Sequence, residues 1–301
     1  MYKEKSMLSP ILNKEMKNLS SMKTGGVAKR VYFPENEREL CEIIRSLNEK
    51  NEKYIVLGNI SNVLLPDEEI EVPLIVTTDM KNTKVSDDGK VYAQAGVSLT
   101  KLSIDMCRKG LSGLEFAYGI PGSVGGAIYM NAGAYGGEIK DVTTKVYALD
   151  KDGNMVEFSG EECEFGYRSS VFQKCGYTII GAEFSLRWSD ADECVKNAKE
   201  IMQKRVNKQP LEYPSCGSTF KRPEGHFAGA LIEQAGLKGC RIGGAQVSEK
   251  HAGFVINYDN ATTQDVLSLM RKIRQVIMDK CGVTMQAEIK LLGKDGEFFS
   301  L

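Results

Sequence analysis

A chain of 301 residues, 42% hydrophobic and 26% charged, has the composition of a globular protein with room for roughly two or three domains. Its 39 basic and 40 acidic residues leave a net charge of −1, so no basic surplus recommends nucleic acid as a partner. No apolar run approaches the roughly 18 residues of a membrane span, and charges interrupt every apolar run of the N-terminus, unlike a leader peptide. A soluble, cytoplasmic protein is expected.

Residues 1–20 read as an extension. Beyond them, Leu40, Ile43, Ile44 and Leu47 recur at helical spacing, and short apolar runs follow at 54–57 and 74–76. Residues 21–80 therefore read as a small α/β unit. Next come a strand over 91–95 and a helix over 99–108 closed by Gly110. Strands over 142–149 and 155–158 flank Asp152-Gly153, a hairpin signal, and a long strand follows over 177–188. Residues 81–190 thus read as a second unit of mostly antiparallel sheet. The charged helix over 191–210 reads as a linker. After it, helices near 227–235 and 262–280 and strands near 254–257 and 283–292 outline an α+β domain over 211–301.

Eight cysteines without a C-x-x-C pair, and only two histidines, predict neither a zinc site nor a disulfide framework. No metal is expected. Free thiols of a reducing compartment are expected instead, with Cys216 the one candidate nucleophile because of its polar neighbours.

Five stretches carry candidate chemistry. The segment 119–138, "GIPGSVGGAIYMNAGAYGGE", has seven glycines, no Lys or Arg, and writes G-x-x-G-G twice. Backbone N–H groups grip a phosphate only where side chains do not obstruct it, so a phosphate loop is expected here. It fits neither the dinucleotide fingerprint nor the P-loop. "GNISN" at 58–62 follows a strand directly, where α/β units bind ligands. Arg168 in "YRSS" sits among small and apolar residues and could clamp a carboxylate through two N–H bonds. "YPSCGSTFKRP" at 213–223 mixes hydroxyls with Lys221 and Arg222, a combination suited to phosphate or carboxylate. Glu288 lies in the strand-like run "MQAEIK", on the face opposite Ala287 and Ile289. Each of the last four is also compatible with an ordinary loop or a solvated strand.

Taken in order, "MKTGGVAKRVYFP", the glycine segment, "YRSSVF", "YPSCGSTFKRP" and "RIGGAQVSEKHAGFVIN" resemble the UDP-N-acetylenolpyruvoylglucosamine reductases of peptidoglycan precursor synthesis. The resemblance runs from about Thr24 to Gly293. "PLEYPSCGSTFKRP" with "KHAGF" is similar to the shorter subtype common in Gram-positive bacteria.

That resemblance implies an α+β fold in which two subdomains of the vanillyl-alcohol-oxidase type hold FAD and a C-terminal domain binds substrate. Gly119, Ile120, Pro121, Gly122, Ser123, Gly125, Gly126, Asn131, Gly133 and Ala134 would contact the cofactor, opposed by Gly58, Asn59, Ser61 and Asn62 of the first subdomain. The family writes G-x-G-S-N at the latter turn, and this chain has Ile60 at the second glycine. A β-branched residue there is strained if the position needs φ > 0.

The implied reaction moves a hydride from NADPH to FAD, then to the methylene carbon of a UDP-linked enolpyruvyl sugar, with a proton delivered at the alpha carbon. Arg168 would hold the carboxylate, Glu288 would hydrogen-bond at the same end, and Ser218 would donate the proton. Tyr167, Tyr213, Lys221 and Arg222 would contact substrate. Neither His226 nor His251 falls in the FAD half, so FAD should be non-covalent. A monomer is expected. Two rivals remain: a flavin-dependent oxidase of the same fold, and a nucleotide-binding protein without catalysis.

Overall fold

The computed structural model describes residues 9–301, which form two compact units assembled from separated pieces of chain. The first takes Val31–Asn59 and Pro73–Lys204 with residues 9–11; the second takes Leu12–Arg30, Ile60–Val72 and Arg205–Leu301. Of the extension expected over 1–20, the first eight residues lie outside the described residues, and Ile11–Glu15 is a strand.

In the first unit, the helix Glu37–Glu49 starts at Asn36, whose side chain accepts the Glu39 N–H. Its apolar stripe, Leu40, Ile43, Ile44 and Leu47, is buried with Ile75, Met80, Leu149 and Ile180. Leu74–Val76 pairs in parallel with Ile55–Leu57 and with Val31–Tyr32. The unit's main sheet is wholly antiparallel, in the order Met155–Ser159, Thr143–Leu149, Thr178–Ser185, Lys90–Gln94, Thr83–Val85. Asp150 closes the predicted hairpin by accepting the N–H groups of Asp152 and Asn154, with Gly153 at φ +78°. The helix Leu99–Arg108 forms over the predicted residues, capped by Ser98, and Leu99, Leu102 and Met106 join the sheet's Val91, Ala93, Val146 and Phe184 in one core.

In the second unit, the sheet Arg241–Ile242, Ala245–Val247, Val255–Asn257 packs against the helix Thr263–Cys281. That helix carries a reciprocal cap between Thr262 and Asp265 and ends at Gly282, φ +67°. Asp67, about two hundred residues earlier, also accepts the N–H groups of Thr263 and Gln264 at 2.8 and 3.0 Å. A carboxylate at a helix N-terminus satisfies orphan donors and opposes the helix dipole. This contact, and the parallel pairing of Val63–Leu64 with Lys290–Leu292, group Ile60–Val72 with the C-terminal part of the chain. The strand expected over 283–292 is shorter than expected. Only Lys290–Leu292 is regular, because Ala287 bridges to Phe220 while the residues after Glu288 pair with Val63–Leu64.

Ile60 takes φ +47° and is 3% exposed, and its carbonyl accepts the Ser21 N–H at 3.1 Å. The position does demand the left-handed region, where a β-branched side chain costs roughly 1–3 kcal/mol. Burial works against that cost: removing a buried isoleucine costs about 2–5 kcal/mol, and glycine adds about 0.5–1 kcal/mol of lost backbone entropy. Burial wins. Ile60→Gly should therefore destabilise the fold by about 1–3 kcal/mol, read as a lower midpoint in denaturant unfolding. A raised midpoint would mean that strain dominates.

Candidate active site

The two G-x-x-G-G copies fold differently. The first opens a helix, Val124–Met130, which Ser123 caps and Asn131 ends at φ +41°. The second makes a hairpin in which Gly133–Ala134 pairs with Gly137–Glu138 around Tyr135 and Gly136, both at positive φ. That is the primed geometry of two-residue turns.

Two amides of the expected phosphate loop are taken up within the fold. The Val124 N–H donates to Val97 O at 2.9 Å and the Gly125 N–H to Ala95 O at 2.8 Å. Gly125 packs inward, where a Cβ would stand 2.9 Å from the Ala95 side chain. Asn131 faces the other way. It is fully buried, and its amide bonds to Gly166 O, Glu138 and the Lys140 N–H. Its side chain serves the turn that carries Arg168.

What remains is compact. Among the described residues, the N–H groups of Asn59, Gly119, Gly122 and Ser123 have no intramolecular partner. Asn59, Gly122 and Ser123 line one cavity of about 1000 Å³ with Gly96, Ser98, Lys101 and Lys109. Its lining carries four cationic side chains (Lys81, Lys101, Arg108, Lys109) against two carboxylates (Asp79, Asp105). Gly58 abuts the same helix cap; a Cβ there would lie 2.3 Å from Ser123 Oγ. Unpaired amides and a positive lining suit a diphosphate, and the volume is of the order a dinucleotide needs.

Arg168 sits at the tip of a tight turn. Gly166 and Ser169 exchange backbone hydrogen bonds at 3.0 and 3.2 Å, with Tyr167 and Arg168 between them. Arg168 has φ +52°, the third-position conformation of a type II turn, where glycine is usual. Its guanidinium donates to Gly133 O at 3.0 Å and lies 5.2 Å from the centroid of the half-exposed Tyr167 ring. Gln173 Nε2 donates to Arg168 O at 3.0 Å and to Tyr129 O at 2.9 Å. Such strain persists only where surroundings enforce it, and it gathers at functional sites.

In the second unit, Ser218 is exposed and follows Gly217, φ +74°. Its chain runs antiparallel to the stretch holding Glu288: the Glu288 N–H donates to Thr219 O at 2.9 Å and the Lys221 N–H to Gln286 O at 2.8 Å. Glu288 is half-buried. Asn62 braces the same stretch, donating to Glu288 O at 3.2 Å and accepting from the Lys290 N–H at 2.9 Å. Tyr213 stacks on Tyr258, centroids 5.3 Å apart, and Arg222 lies 4.7 Å from the Phe227 ring centroid.

Models described as "FAD binding domain" and "UDP-N-acetylenolpyruvoylglucosamine reductase, C-terminal domain" match residues 28–159 and 209–292. The UDP-N-acetylenolpyruvoylglucosamine reductase of Lachnoclostridium phytofermentans is 43% identical, over 94% of this chain and 92% of its own. The chain belongs to the UDP-N-acetylenolpyruvoylglucosamine reductase family. The Enterococcus faecalis reductase is likewise 43% identical, with 95% of each chain covered. The crystal structure of the Thermus caldophilus enzyme superposes with a TM-score of 0.79 at 32% identity, covering 94% of this chain and 97% of that one. As a member, this chain is an FAD-dependent oxidoreductase that reduces the enolpyruvyl sugar nucleotide of peptidoglycan precursor synthesis.

Within that family frame, Ser218, Lys221, Glu288 and Asn62 belong to one unit and are tied by backbone hydrogen bonds. Arg168, Gly133, Ser123 and Asn59 belong to the other. Ile120 O accepts from Thr100 Oγ1 at 2.8 Å, and the exposed Gly126 donates its N–H to Ser123 Oγ at 3.4 Å; Pro121 is exposed and Ala134 half-buried. No motif marks Gln173, whose half-buried amide bonds to backbone carbonyls, and nothing within the 213–223 stretch singles out Thr219 from the other hydroxyls around Gly217. Cys216 is no nucleophile: it is buried, and burial pushes its thiol up to about 12. Burial, and secondarily Lys221, lowers the Lys290 ammonium below its ordinary value. All eight cysteines are free thiols. No helix among the described residues is long and apolar enough to cross a membrane.

Proposed function

We propose that Arg168, Ser218 and Glu288 carry the chemistry of this reductase, and that the amides of Asn59, Gly119, Gly122 and Ser123 hold the flavin nucleotide. Bound FAD supplies the hydride, received from NADPH, that adds at the enolpyruvyl methylene carbon. The chain's own residues manage the charge and the proton. As hydride adds, electron density moves toward the substrate carboxylate. Arg168 is permanently charged and presents a planar fork, so it holds that carboxylate and stabilises its growing charge. Glu288 hydrogen-bonds at the same end. Ser218 gives its hydroxyl proton to the alpha carbon; a carbanion is basic enough to take it, and Lys221, two backbone bonds away on the same ladder, lowers the cost of the alkoxide left behind. Tyr167, Tyr213 and Arg222 are assigned to the substrate's remaining groups. Residues 21–80 and 81–190 would hold the cofactor and 211–301 the substrate. Eight free thiols suit a reducing cytoplasm.

One observation carries the reading. Ser218 and Glu288, chosen from motifs seventy residues apart, lie on paired backbone, with the Glu288 N–H on the carbonyl next to Ser218 at 2.9 Å. The test is the visible spectrum of the purified protein under anaerobic conditions. NADPH should bleach a yellow flavin, and the enolpyruvyl sugar nucleotide should restore the colour. Recolouring by oxygen alone at a comparable rate would favour an oxidase. A colourless protein that still binds the nucleotide would sink the reading.

A further inference from the structure

We propose that Thr219 is a positioning residue that locks Ser218 against Glu288, an inference resting on the roles just assigned to those two. Thr219 is 0% exposed, between the exposed Ser218 and the buried Phe220. Two separate stretches of chain meet on it, through three hydrogen bonds. Its N–H donates to Gly253 O at 2.9 Å, its carbonyl accepts the Glu288 N–H at 2.9 Å, and its hydroxyl oxygen accepts the Val255 N–H at 2.9 Å.

The backbone bonds at Thr219 would survive any side chain. The hydroxyl bond would not. In a regular ladder the Val255 N–H would meet a carbonyl; here the threonine side chain takes that place, so the register between 219 and 253–255 depends on one oxygen atom. The next layer is built the same way: the Gly253 N–H donates to His251 Nδ1 at 3.1 Å. Burial lowers the His251 imidazole below its ordinary value, which keeps that nitrogen an acceptor near neutral pH.

On the other side of Ser218 the next fixed point is two residues back, at the buried Cys216, whose thiol donates to Val63 O at 3.7 Å. Gly217 has φ +74°, and a Cβ there would have no neighbour within 4 Å. Ser218 is thus hinged at Gly217, and the anchor bonded directly to it is Thr219. Removing the Thr219 hydroxyl leaves a buried N–H unpaired, and the cheapest relief is a shift of the 218–220 backbone relative to 286–288. Displacing a reacting group by about 1 Å can cost on the order of 10²-fold in rate.

The test compares Thr219→Val, which keeps the shape and deletes the acceptor, with Thr219→Ser, which keeps the acceptor. Each half-reaction is followed by stopped-flow flavin absorbance. Thr219→Val should reduce with NADPH at the parent rate and reoxidise with the enolpyruvyl sugar nucleotide about 10- to 100-fold more slowly. Its solvent deuterium isotope effect on reoxidation should rise, because proton delivery becomes limiting. Thr219→Ser should return to within about threefold of the parent. Equal slowing of both half-reactions with an unchanged isotope effect would mean a merely structural role and overturn the proposal, as would parent-like reoxidation in Thr219→Val. Ser218→Ala run in parallel separates the two levels. If it reoxidises normally, the assignment of Ser218 fails; if it stops while Thr219→Val does not slow, only the positioning role fails. Should Thr219→Val not retain flavin, Thr219→Cys, a weaker acceptor of similar size, is read against the same criteria.

Discussion

Ser218→Ala should leave flavin reduction by NADPH within about twofold of the parent and slow reoxidation by the enolpyruvyl substrate by about 10²–10⁴-fold, the usual contribution of a positioned acid. The two half-reactions separate because the hydroxyl has no part in the first. Ser218 is exposed, so losing one oxygen atom leaves no cavity and no buried donor behind, and stability should change by no more than about 0.5 kcal/mol. The loss is then chemical. Two observations locate it further. If hydride addition can proceed without the proton, a substrate-derived anion should accumulate and exchange solvent label at the alpha carbon only slowly. If the two are concerted, reoxidation and label incorporation should fall together. Equal slowing of reduction and reoxidation would remove Ser218 from the role of acid.

The long helices were legible because their periodicity and their caps agree. Leu99–Arg108 runs over the predicted residues from Ser98 to the Gly110 stop, and Thr263–Cys281 starts and ends within a residue of expectation. The hairpin at Asp152-Gly153 was legible from turn chemistry alone. The glycine segment was not. Its helix Val124–Met130 forms among poor helix formers because the Val124 and Gly125 amides find Val97 and Ala95 carbonyls and Ser123 accepts the Gly126 N–H. Val97 and Ala95 lie 27 and 30 residues away, beyond any local pattern. The site divides along the same line. The residue types at 168, 218 and 288 could be read from motifs. The backbone pairing of Thr219 with Glu288 could not, nor could the bracing of Glu288 by Asn62, 226 residues earlier. Ile60 is the instructive middle case. Its conformation followed from the glycine expected there, but the reason the chain tolerates isoleucine is burial, which only the fold supplies.

Arg168→Lys should lower substrate reduction by about 10²–10³-fold, the cost typical of losing a preorganised donor to a developing anion, because an ammonium is a point charge and cannot replace a two-pronged contact. Arg168→Gly should be as inactive, yet nearly as stable as the parent, and that pairing is the sharper prediction. Three effects set the stability. Glycine removes left-handed strain worth about 1–2 kcal/mol. Against this, the unfolded chain gains about 0.5–1 kcal/mol of freedom, and the 3.0 Å bond from the guanidinium to Gly133 O, a net contribution of about 1 kcal/mol, is lost. The sum lies within about 1 kcal/mol of zero. A side chain kept only to hold its turn would show a stability cost in both variants and spare turnover in Arg168→Lys. A side chain held in strain for its chemistry shows the reverse: denaturation midpoints that barely move, and flavin that bleaches with NADPH but is not reoxidised by the enolpyruvyl substrate. Retention of most turnover by Arg168→Lys, or a loss of several kcal/mol in Arg168→Gly, would place Arg168 among the structural residues of the turn, together with Asn131 and Gln173, which brace it from below.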